Sequence, residues 1–420
     1  MDRNYAKVMI SQAGESWLDK GQMWMYRNNL IGIEGTPENG APVDIVTENG
    51  RYLGTGFYSE TSHIVVRILT KNPEVVIDRE FFQRRIQFAY AFRKTVESDN
   101  LANCRLIFGE ADQLPGLTVD RYNDILVTQI SAYGMEKIKP MIYDLLLETL
   151  RQDGQTIQGI YERNDIQVRA KEGLPMEKGF WGGVSLPTTT VINENGLKLN
   201  VDIENGQKTG YFLDQKSNRV LLRQMAHGKR VLDCFSHTGG FALNAALGDA
   251  QSVVAVDVSQ TALDQGRANA VLNHLEDRIQ FVKADVFEYL DHCETGQYDM
   301  IVLDPPAFTK SRKTIHQAYA GYKRINYQAM KLLQNGGYLI TCSCSRFMEI
   351  DNFEKMLREA AQEAGVTLKQ VSVTQQNHDH PILWTMEETS YLKFYIFQII
   401  EAQPGQKKKV DGEYRKPFGE

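Results

Sequence analysis

Four aspartates in the second half of the chain, Asp233, Asp257, Asp285 and Asp304, stand at or just after short apolar runs. If those runs are parallel strands, their carboxyl ends meet at one edge of a sheet, where the loops open a crevice for a ligand. Asp257 follows Asp233 at about the 20-residue spacing of the acid that accepts hydrogen bonds from ribose hydroxyls in nucleoside-binding βαβ units. We therefore expect Asp257 to bind a ribose and Asp285 to bind the exocyclic amine of an adenine.

The turn after Asp233 indicates which nucleoside to expect. Residues 233–240 contain only two glycines, Gly239 and Gly240, side by side. They lack the three spaced glycines of the dinucleotide fingerprint and offer no good cradle for a pyrophosphate at a helix N-terminus. A nucleoside without phosphates fits this turn better, and S-adenosylmethionine is the common one. The alternative is an ordinary strand, turn and helix without a ligand.

Asp304 begins a stiff loop. It is followed by Pro305 and Pro306, and two successive prolines remove two amide donors and restrict the backbone. The Asp304 carboxylate and the neighbouring carbonyl groups would then be held towards a planar, polar substrate. At the end of the fourth strand of the expected sheet, this loop indicates methyl transfer to a base or an amide.

Two cysteines, Cys342 and Cys344, end the next apolar run. In an extended strand they would point to the same face, with Cys344 nearer the crevice. Both could be buried packing residues, while a metal site with His378 and His380 is disfavoured because Cys-x-Cys is too tight for the usual zinc knuckle. The third interpretation makes Cys344 a nucleophile, because a thiolate that adds to C6 of cytosine or uracil makes C5 reactive towards an electrophilic methyl group.

The elements that would position these residues alternate between strand and helix from about Val191, which predicts a doubly wound parallel sheet. Ser259 is well placed to cap the helix expected over residues 259–274. The apolar runs lie at residues 231–232, 252–256, 279–282, 300–303, 338–341 and 392–400.

The first 190 residues have a different pattern of predicted strands and helices. Residues 1–72 contain short strands broken by turns, which predicts a small β-barrel, and the group Trp24, Met25, Tyr26 and Arg27 either stacks on unpaired bases or fills the barrel core. Residues 73–190 predict an α+β positioning domain. Its expected elements are a helix over residues 78–97, strands near residues 105–108, 117–122 and 125–130, a helix near residues 136–151, and strands near residues 159–161 and 182–184.

Composition sets broad limits. The chain has 420 residues, 42% of them hydrophobic, and five cysteines without the pattern of a disulfide framework. No apolar run approaches a membrane span and no signal-peptide core follows the first residues, so we expect a cytoplasmic protein.

With a formal net charge of −6, RNA binding would need local basic patches. Lys310, Arg312, Lys313, Lys323 and Arg324 supply either such a patch or a solvated face, and residues 401–420 read as a disordered tail.

Several segments together resemble a known family: residues 206–219, 233–241, 304–308 and 343–345 are similar to the class I methyltransferase family that contains the bacterial large-subunit ribosomal RNA cytosine-5 methyltransferases. Residues 109–122, 379–381 and 391–393 also match, and residues 1–72 resemble a PUA domain. The resemblance extends over nearly the whole chain. It implies an α/β fold with a seven-stranded Rossmann-like domain at residues 191–400.

The resemblance also implies roles. Phe212 and Gln215 would lie against the methionine part of S-adenosyl-L-methionine, and Phe235, Thr238, Gly239 and Gly240 would form its floor. The complete expected cofactor set adds Asp233, Asp257, Val258, Asp285 and Val286. Asp304 and Cys344 would be catalytic, and Pro305, Pro306 and Phe308 would contact the substrate.

Some questions stay open at this point. Cys342 stands where many members of the family have an apolar residue, so the attacking thiol is not decided between Cys342 and Cys344. A guanine-N methyltransferase with a structural Cys344, or a non-catalytic RNA-binding protein, are the alternative functions. We expect large-subunit ribosomal RNA as the partner, no metal and no membrane, and we leave the oligomeric state open with a homodimer as one option.

Overall fold

The computed structural model describes residues 4–308 and 314–401. The chain divides into two compact units, which are presented one at a time. The first comprises Met1–Ser217 and Gln376–Ser390, and the second comprises Asn218–Gln375 and Tyr391–Glu420.

The first unit opens with a six-stranded sheet. Its elements are β1 (Lys7–Ile10), α1 (Gln12–Asp19), β2 (Trp24–Tyr26), β3 (Leu30–Glu34), β4 (Pro42–Thr47), β5 (Tyr52–Tyr58) and β6 (Ile64–Thr70), with the strands in the order β2-β6-β5-β4-β1-β3. Alternate residues of these strands point inwards because side chains in a strand alternate between faces. Val8, Ile10, Ile45, Val65 and Ile68 are buried in a common core. The short strands expected in residues 1–72 are therefore present.

A second, five-stranded sheet follows in the order β11-β10-β9-β8-β7. Its elements are α2 (Arg79–Val96), β7 (Asn103–Phe108), β8 (Leu117–Tyr122), β9 (Ile125–Ile130), α3 (Tyr133–Lys137), α4 (Lys139–Gln152), β10 (Gly159–Arg163), α5 (Val168–Lys171) and β11 (Lys178–Phe180). Asp78 caps α2, because its side chain accepts a hydrogen bond from the amide of Phe81 at 2.9 Å.

Two details of the expected pattern are wrong. The last strand of this block is β11, whereas a strand was expected near residues 182–184; Gly182 and Gly183 have φ of 72° and 74°, which cannot continue a strand. The alternation of strand and helix also begins later than Val191. Residues there form the antiparallel hairpin of β12 (Thr189–Glu194) and β13 (Leu197–Asp202), turned by Asn195 and Gly196 with positive φ.

The second unit contains a seven-stranded sheet in the order β16-β15-β14-β17-β18-β20-β19. After α6 (Lys216–Met225), whose first two residues are assigned to the first unit, come β14 (Arg230–Cys234), α7 (Gly240–Leu247), β15 (Ser252–Asp257), α8 (Gln260–Leu272), β16 (Ile279–Lys283), α9 (Val286–Asp291), β17 (Met300–Leu303), α10 (Ile315–Leu332), β18 (Tyr338–Ser343), α11 (Ile350–Ala364), β19 (Val366–Thr374) and β20 (Lys393–Glu401). The first five strands in this order pair in parallel, and β20 is antiparallel to its neighbours.

The fold class predicted from the sequence is confirmed, including the seven strands. Ser259 caps α8 as expected, accepting a hydrogen bond from the amide of Ala262 at 3.3 Å. The apolar runs had marked every strand of this sheet except β19, an edge strand whose Val371 and Val373 are exposed. Among the helices of the described ranges, none combines the length and apolar character needed to cross a membrane.

Buried ion pairs hold the first unit together. Arg93 is fully buried and its two terminal nitrogens lie 2.5 and 2.7 Å from the two carboxylate oxygens of Asp112. Asp112 also accepts a hydrogen bond from the amide of Phe108 at 2.6 Å. Removing one partner of such a pair leaves the other charge buried and unpaired, which costs far more than the loss of a surface pair.

We therefore expect Asp112→Ala to lower the free energy of unfolding of the first unit by about 3–5 kcal/mol. Glu80→Ala, which breaks the exposed pair with Arg84, should cost no more than about 1 kcal/mol. All four tryptophans, Trp17, Trp24, Trp181 and Trp384, belong to this unit, so urea unfolding followed by tryptophan fluorescence measures it selectively. Equal effects of the two substitutions would contradict the expectation.

Candidate active site

The order of strands reverses between β14 and β17, the point where the loops of a parallel sheet diverge and a ligand can enter. The loop after β14 is conformationally strained there. Phe235 and His237 have left-handed φ, at 61° and 50°, and such non-glycine residues are found mostly where function requires a particular backbone shape. Gly239, with φ of 80°, adopts the same region without strain. A Cβ on Gly239 would also lie 3.2 Å from the ring of Phe281, so this position requires glycine.

Asp233 lies one residue before the end of β14, and its carboxyl group is fully buried. Its Oδ2 accepts a hydrogen bond from the amide of Ala242 at 2.9 Å, while its Oδ1 has no hydrogen-bond partner among the described residues. Burial raises the pKa of Asp233 well above its usual range. A cationic ligand would supply the missing donor and restore the charge, and S-adenosylmethionine carries both an ammonium and a sulfonium group, so the residue suits that cofactor.

Asp257 ends β15 and is half-buried. Its Oδ2 accepts a hydrogen bond from the amide of His237 at 2.9 Å, and its Oδ1 accepts one from the amide of Ser259 at 2.8 Å. A carboxylate has about four lone-pair sites, so each oxygen can accept a further bond from a ribose hydroxyl. Val258, next to it, is 61% exposed and offers an apolar surface suited to an adenine. These residues fit the role expected from the sequence.

Asp285 has a structural role of its own. Its Oδ1 accepts hydrogen bonds from the amides of Phe287 and Glu288 at 2.8 and 3.2 Å and thereby caps α9. The side chain is exposed, which leaves it accessible for the expected contact with the adenine amine. Val286 is buried, and its contact with the cofactor stays a prediction.

The loop after β17 is anchored by an aromatic ring. Phe308 packs against Tyr322, Phe287 and Phe235, with ring centroids 4.7, 6.2 and 6.4 Å apart. Pro305 is buried and Pro306 exposed. Phe308 is therefore packed as an anchor that fixes the position of Asp304 and of the exposed proline.

The two cysteines differ in environment. Cys342 lies within β18 and is fully buried, whereas Cys344 lies one residue beyond the strand and is partly exposed. The strand ends at Ser343, so alternation within β18 assigns no face to Cys344, and the expectation that both cysteines point to the same face stays a prediction. Only Cys344 is accessible at the carboxyl edge of the sheet, beside the strand that carries the Asp304 loop.

Lys393 is the residue of this edge to which the sequence analysis gave no role. Its Nζ donates hydrogen bonds to the carbonyl oxygens of Ser345 and Tyr391, at 2.7 and 2.8 Å, and it is only 6% exposed. The sequence did contain a signal for a buried charge. Lys393 lies at the start of the apolar run of residues 392–400, and a lysine there is either buried with the strand or placed at its end.

Phe212 and Gln215 belong to the first unit, where residues 213–215 form a 3₁₀ turn and Gln215 is 4% exposed. Their contact with the methionine part of the cofactor stays a prediction. His380 is also in the first unit, with its Nδ1 2.7 Å from Asp379 Oδ1. The described residues contain no group of three or more His, Cys, Asp or Glu side chains arranged to hold a metal ion.

The basic residues after the Asp304 loop are only partly described. Lys310, Arg312 and Lys313 lie outside the described residues, as does the tail beyond Glu401. Lys323 forms ion pairs with Glu359 and Glu363, and Arg324 forms one with Asp291. These two cations are therefore paired with carboxylates, which is typical of a solvated protein surface.

The residues of the group Trp24, Met25, Tyr26 and Arg27 have different environments. Met25 is buried, and Arg27 donates hydrogen bonds to the carbonyl oxygens of Ser59, Glu60 and Ser62. Tyr26 instead lines a cavity of about 530 Å³. The other side chains around this cavity are those of Ala13, Trp17, Arg27, Asn28, Asn29 and His63.

Known proteins agree with this architecture. A family of S-adenosylmethionine-dependent methyltransferases matches residues 167–397, and a PUA-like domain matches residues 8–71. The Ribosomal RNA large subunit methyltransferase I proteins of Shewanella amazonensis and Escherichia coli O157:H7 are each 39% identical to this chain, covering 94% of it and 99% of their own length. A solved structure from Streptococcus mutans, itself assigned as a S-adenosylmethionine-dependent methyltransferase, has a TM-score of 0.78 at 24% identity, covering 93% of this chain and 99% of its own.

The chain therefore belongs to the S-adenosylmethionine-dependent methyltransferase family, with a PUA-like domain at its N-terminus. Its cofactor is S-adenosyl-L-methionine. The family resemblance and the cofactor predicted from the sequence are confirmed.

The buried carboxyl group of Asp233 generates a prediction about cofactor binding. Because its pKa is raised in the free protein, Asp233 should lose a proton when the cationic cofactor binds, and affinity should increase as the pH rises towards that pKa. Calorimetric titrations in buffers of different protonation enthalpy count the protons released. Asp233→Asn should bind more weakly and release fewer protons; an unchanged proton count in this variant would assign the linkage to another group.

Proposed function

We propose that this methyltransferase acts on large-subunit ribosomal RNA and methylates C5 of a cytosine through a covalent bond between Cys344 and C6. The relatives named above, at 39% identity over nearly their whole length, support the RNA substrate. The observation that carries the cytosine assignment is the accessible Cys344 beyond β18, beside the loop that begins with Asp304. Such a protein would work in the cytoplasm.

The chemistry follows from the reactivity of the base. C5 of cytosine becomes nucleophilic only after the Cys344 thiolate adds to C6, because this addition turns the ring into an enamine. The cofactor supplies an electrophilic methyl group bound to a sulfonium. After C5 has taken the methyl group, it loses its proton to a base, the bond between C6 and Cys344 breaks, and the thiolate is restored with the aromatic ring.

Asp304 and the backbone around it would hold the cytosine edge. The stiff Pro305-Pro306 segment and the packed ring of Phe308 keep this loop in place, which lowers the entropy lost when the base is oriented. The base must leave its stack, since C5 and C6 cannot be reached by the thiol and the methyl donor on opposite faces within a helix.

The environment of the two cysteines argues against the guanine-N alternative. A structural Cys344 would be expected inside the core, where Cys342 is. Cys344 is instead partly exposed at the edge of the sheet where ligands bind.

Substitution of the two cysteines tests the proposal. Cys344→Ala should abolish methyl transfer to cytosine and leave cofactor binding nearly unchanged, because the thiol acts on the base. Cys342→Ala, which removes a buried thiol of the same strand, should retain most of the activity. In RNA containing 5-fluorocytosine, fluorine cannot leave as a proton, so the wild-type enzyme should form an adduct that survives denaturation and maps to Cys344. Activity in Cys344→Ala without any adduct would favour the guanine-N alternative.

The cavity beside Tyr26 suggests how the PUA-like domain contributes to RNA binding. Its mixture of an aromatic face with Asn28, Asn29 and His63 suits an unpaired base that stacks and forms hydrogen bonds. We expect Tyr26→Ala to weaken binding to large-subunit ribosomal RNA fragments by about 1–3 kcal/mol, the worth of one stacked base. Tyr26→Phe keeps the ring and should bind nearly as well. If filter binding gives equal affinities for all three proteins, the cavity does not receive a base.

A further inference from the structure

Lys393 is a buried cation for which the described residues provide no carboxylate. None of the ion pairs within residues 4–308 and 314–401 involves it, and its two hydrogen bonds go to carbonyl oxygens. Buried charges in proteins are normally paired. Elsewhere in this chain, the buried Lys216 has Glu97 at 2.7 Å and Asp379 at 3.7 Å. Because the buried ammonium group of Lys393 has no carboxylate partner among the described residues, we expect an anion to form beside it during the reaction.

The strand register brings Lys393 to the nucleophile. Lys393 is the direct partner of Ser343 in the antiparallel pair of β18 and β20, and its Nζ reaches the carbonyl oxygen of Ser345. Cys344 lies between these two residues in sequence. The ammonium group and the Cys344 thiol interact electrostatically, and burial lowers the pKa of Lys393 to about 8.

We propose that Lys393 is a positioning residue that stabilises the thiolate of Cys344 and thereby lowers the pKa of that thiol. This inference rests on the role proposed for Cys344. A thiolate gains stability beside a lysine, as it does in other reactive cysteines. The two carbonyl groups that bind the ammonium hold it in place, so little is lost in ordering it when the thiolate forms.

Tyr322, Asp304 and Arg346 differ from Lys393 in their expected effect on the Cys344 thiol. Tyr322 of α10 interacts with Cys344, but burial raises the pKa of Tyr322 above its usual range and keeps it neutral. Asp304, which also interacts with Tyr322, would oppose formation of a thiolate. Arg346, two residues after Cys344, is exposed, and solvent screens its charge. Lys393 is a buried cation, so solvent screens its charge less than that of Arg346.

The pH dependence of alkylation measures the thiol directly. Intact protein is treated with iodoacetamide between pH 6 and 10, and the rate at Cys344 is followed by peptide mass spectrometry. The partly exposed Cys293, whose pKa is raised by burial, serves as an internal reference. In the wild-type protein the apparent pKa of Cys344 should lie below the ordinary value of about 8.5, and Cys344 should react faster than Cys293 at pH 7.

Variants separate the charge from the packing. Lys393→Met should raise the apparent pKa of Cys344 by about one unit or more, which slows its alkylation at pH 7 roughly tenfold. Lys393→Arg keeps a cation and should retain most of the lowered pKa. Lys369→Met removes an exposed lysine from β19 and should change nothing. Calorimetric binding of S-adenosyl-L-methionine confirms that each variant is folded.

A wild-type pKa at or above about 8.5 would overturn the inference without any variant, as would an unchanged pKa in a folded Lys393→Met. Failure of the proposed function would give a different experimental result from failure of the role of Lys393. In that case Cys344→Ala retains methyl transfer to RNA, whatever the pKa of the thiol. Loss of activity in Cys344→Ala together with an unchanged thiol pKa in Lys393→Met would remove only the role of Lys393.

Discussion

The parallel arrangement of β14, β15, β17 and β18 is the constraint on which the site in the second unit depends. Parallel strands end at a common edge, and between β14 and β17 their order reverses, so successive loops diverge there. This geometry brings Asp233, Asp257, Asp304 and Cys344 to one edge although 111 positions separate the first from the last in the numbering. The residues need no sequence proximity, because each lies within one residue of the carboxyl end of its own strand.

Buried charged side chains in this chain differ in whether a group of opposite charge lies beside them. In the first unit, Arg93 with Asp112, Arg105 with Asp120 and Lys216 with Glu97 form close pairs whose hydrogen bonds are largely satisfied. In the second, Asp233 has an oxygen without a donor and Lys393 has no carboxylate among the described residues. Unsatisfied burial costs free energy. Both residues lie at the carboxyl edge of the sheet, where the cofactor and the thiolate that we propose for Cys344 would supply the missing partners.

Much of this arrangement was predictable from local sequence. Strand ends at a ligand site and helix caps favour particular residue types, so they can be recognised in the local sequence. Asp233, Asp257 and Asp304 follow apolar runs. Ser259 precedes a helical pattern, and Asp78 caps α2. The edge strand β19 was not found because its apolar residues are only partly buried, as Val366 and Leu368 are, or exposed, as Val371 is, and because an irregularity between Gln370 and Ser372 interrupts its alternation. The 3₁₀ turn at residues 181–183 depends on two left-handed glycines, and a glycine pair alone does not reveal its φ.

The different environments of Cys342 and Cys344 were beyond prediction for another reason. Alternation within a strand assigns faces only while the strand continues, and the position where β18 ends is set by its pairing with β20. That pairing joins residues about fifty positions apart, a distance no local pattern spans. It also delivers Lys393 opposite Ser343. The strand end that exposes Cys344 and the cation beside it therefore have one cause, the antiparallel return of β20, and neither can be recognised without the sheet.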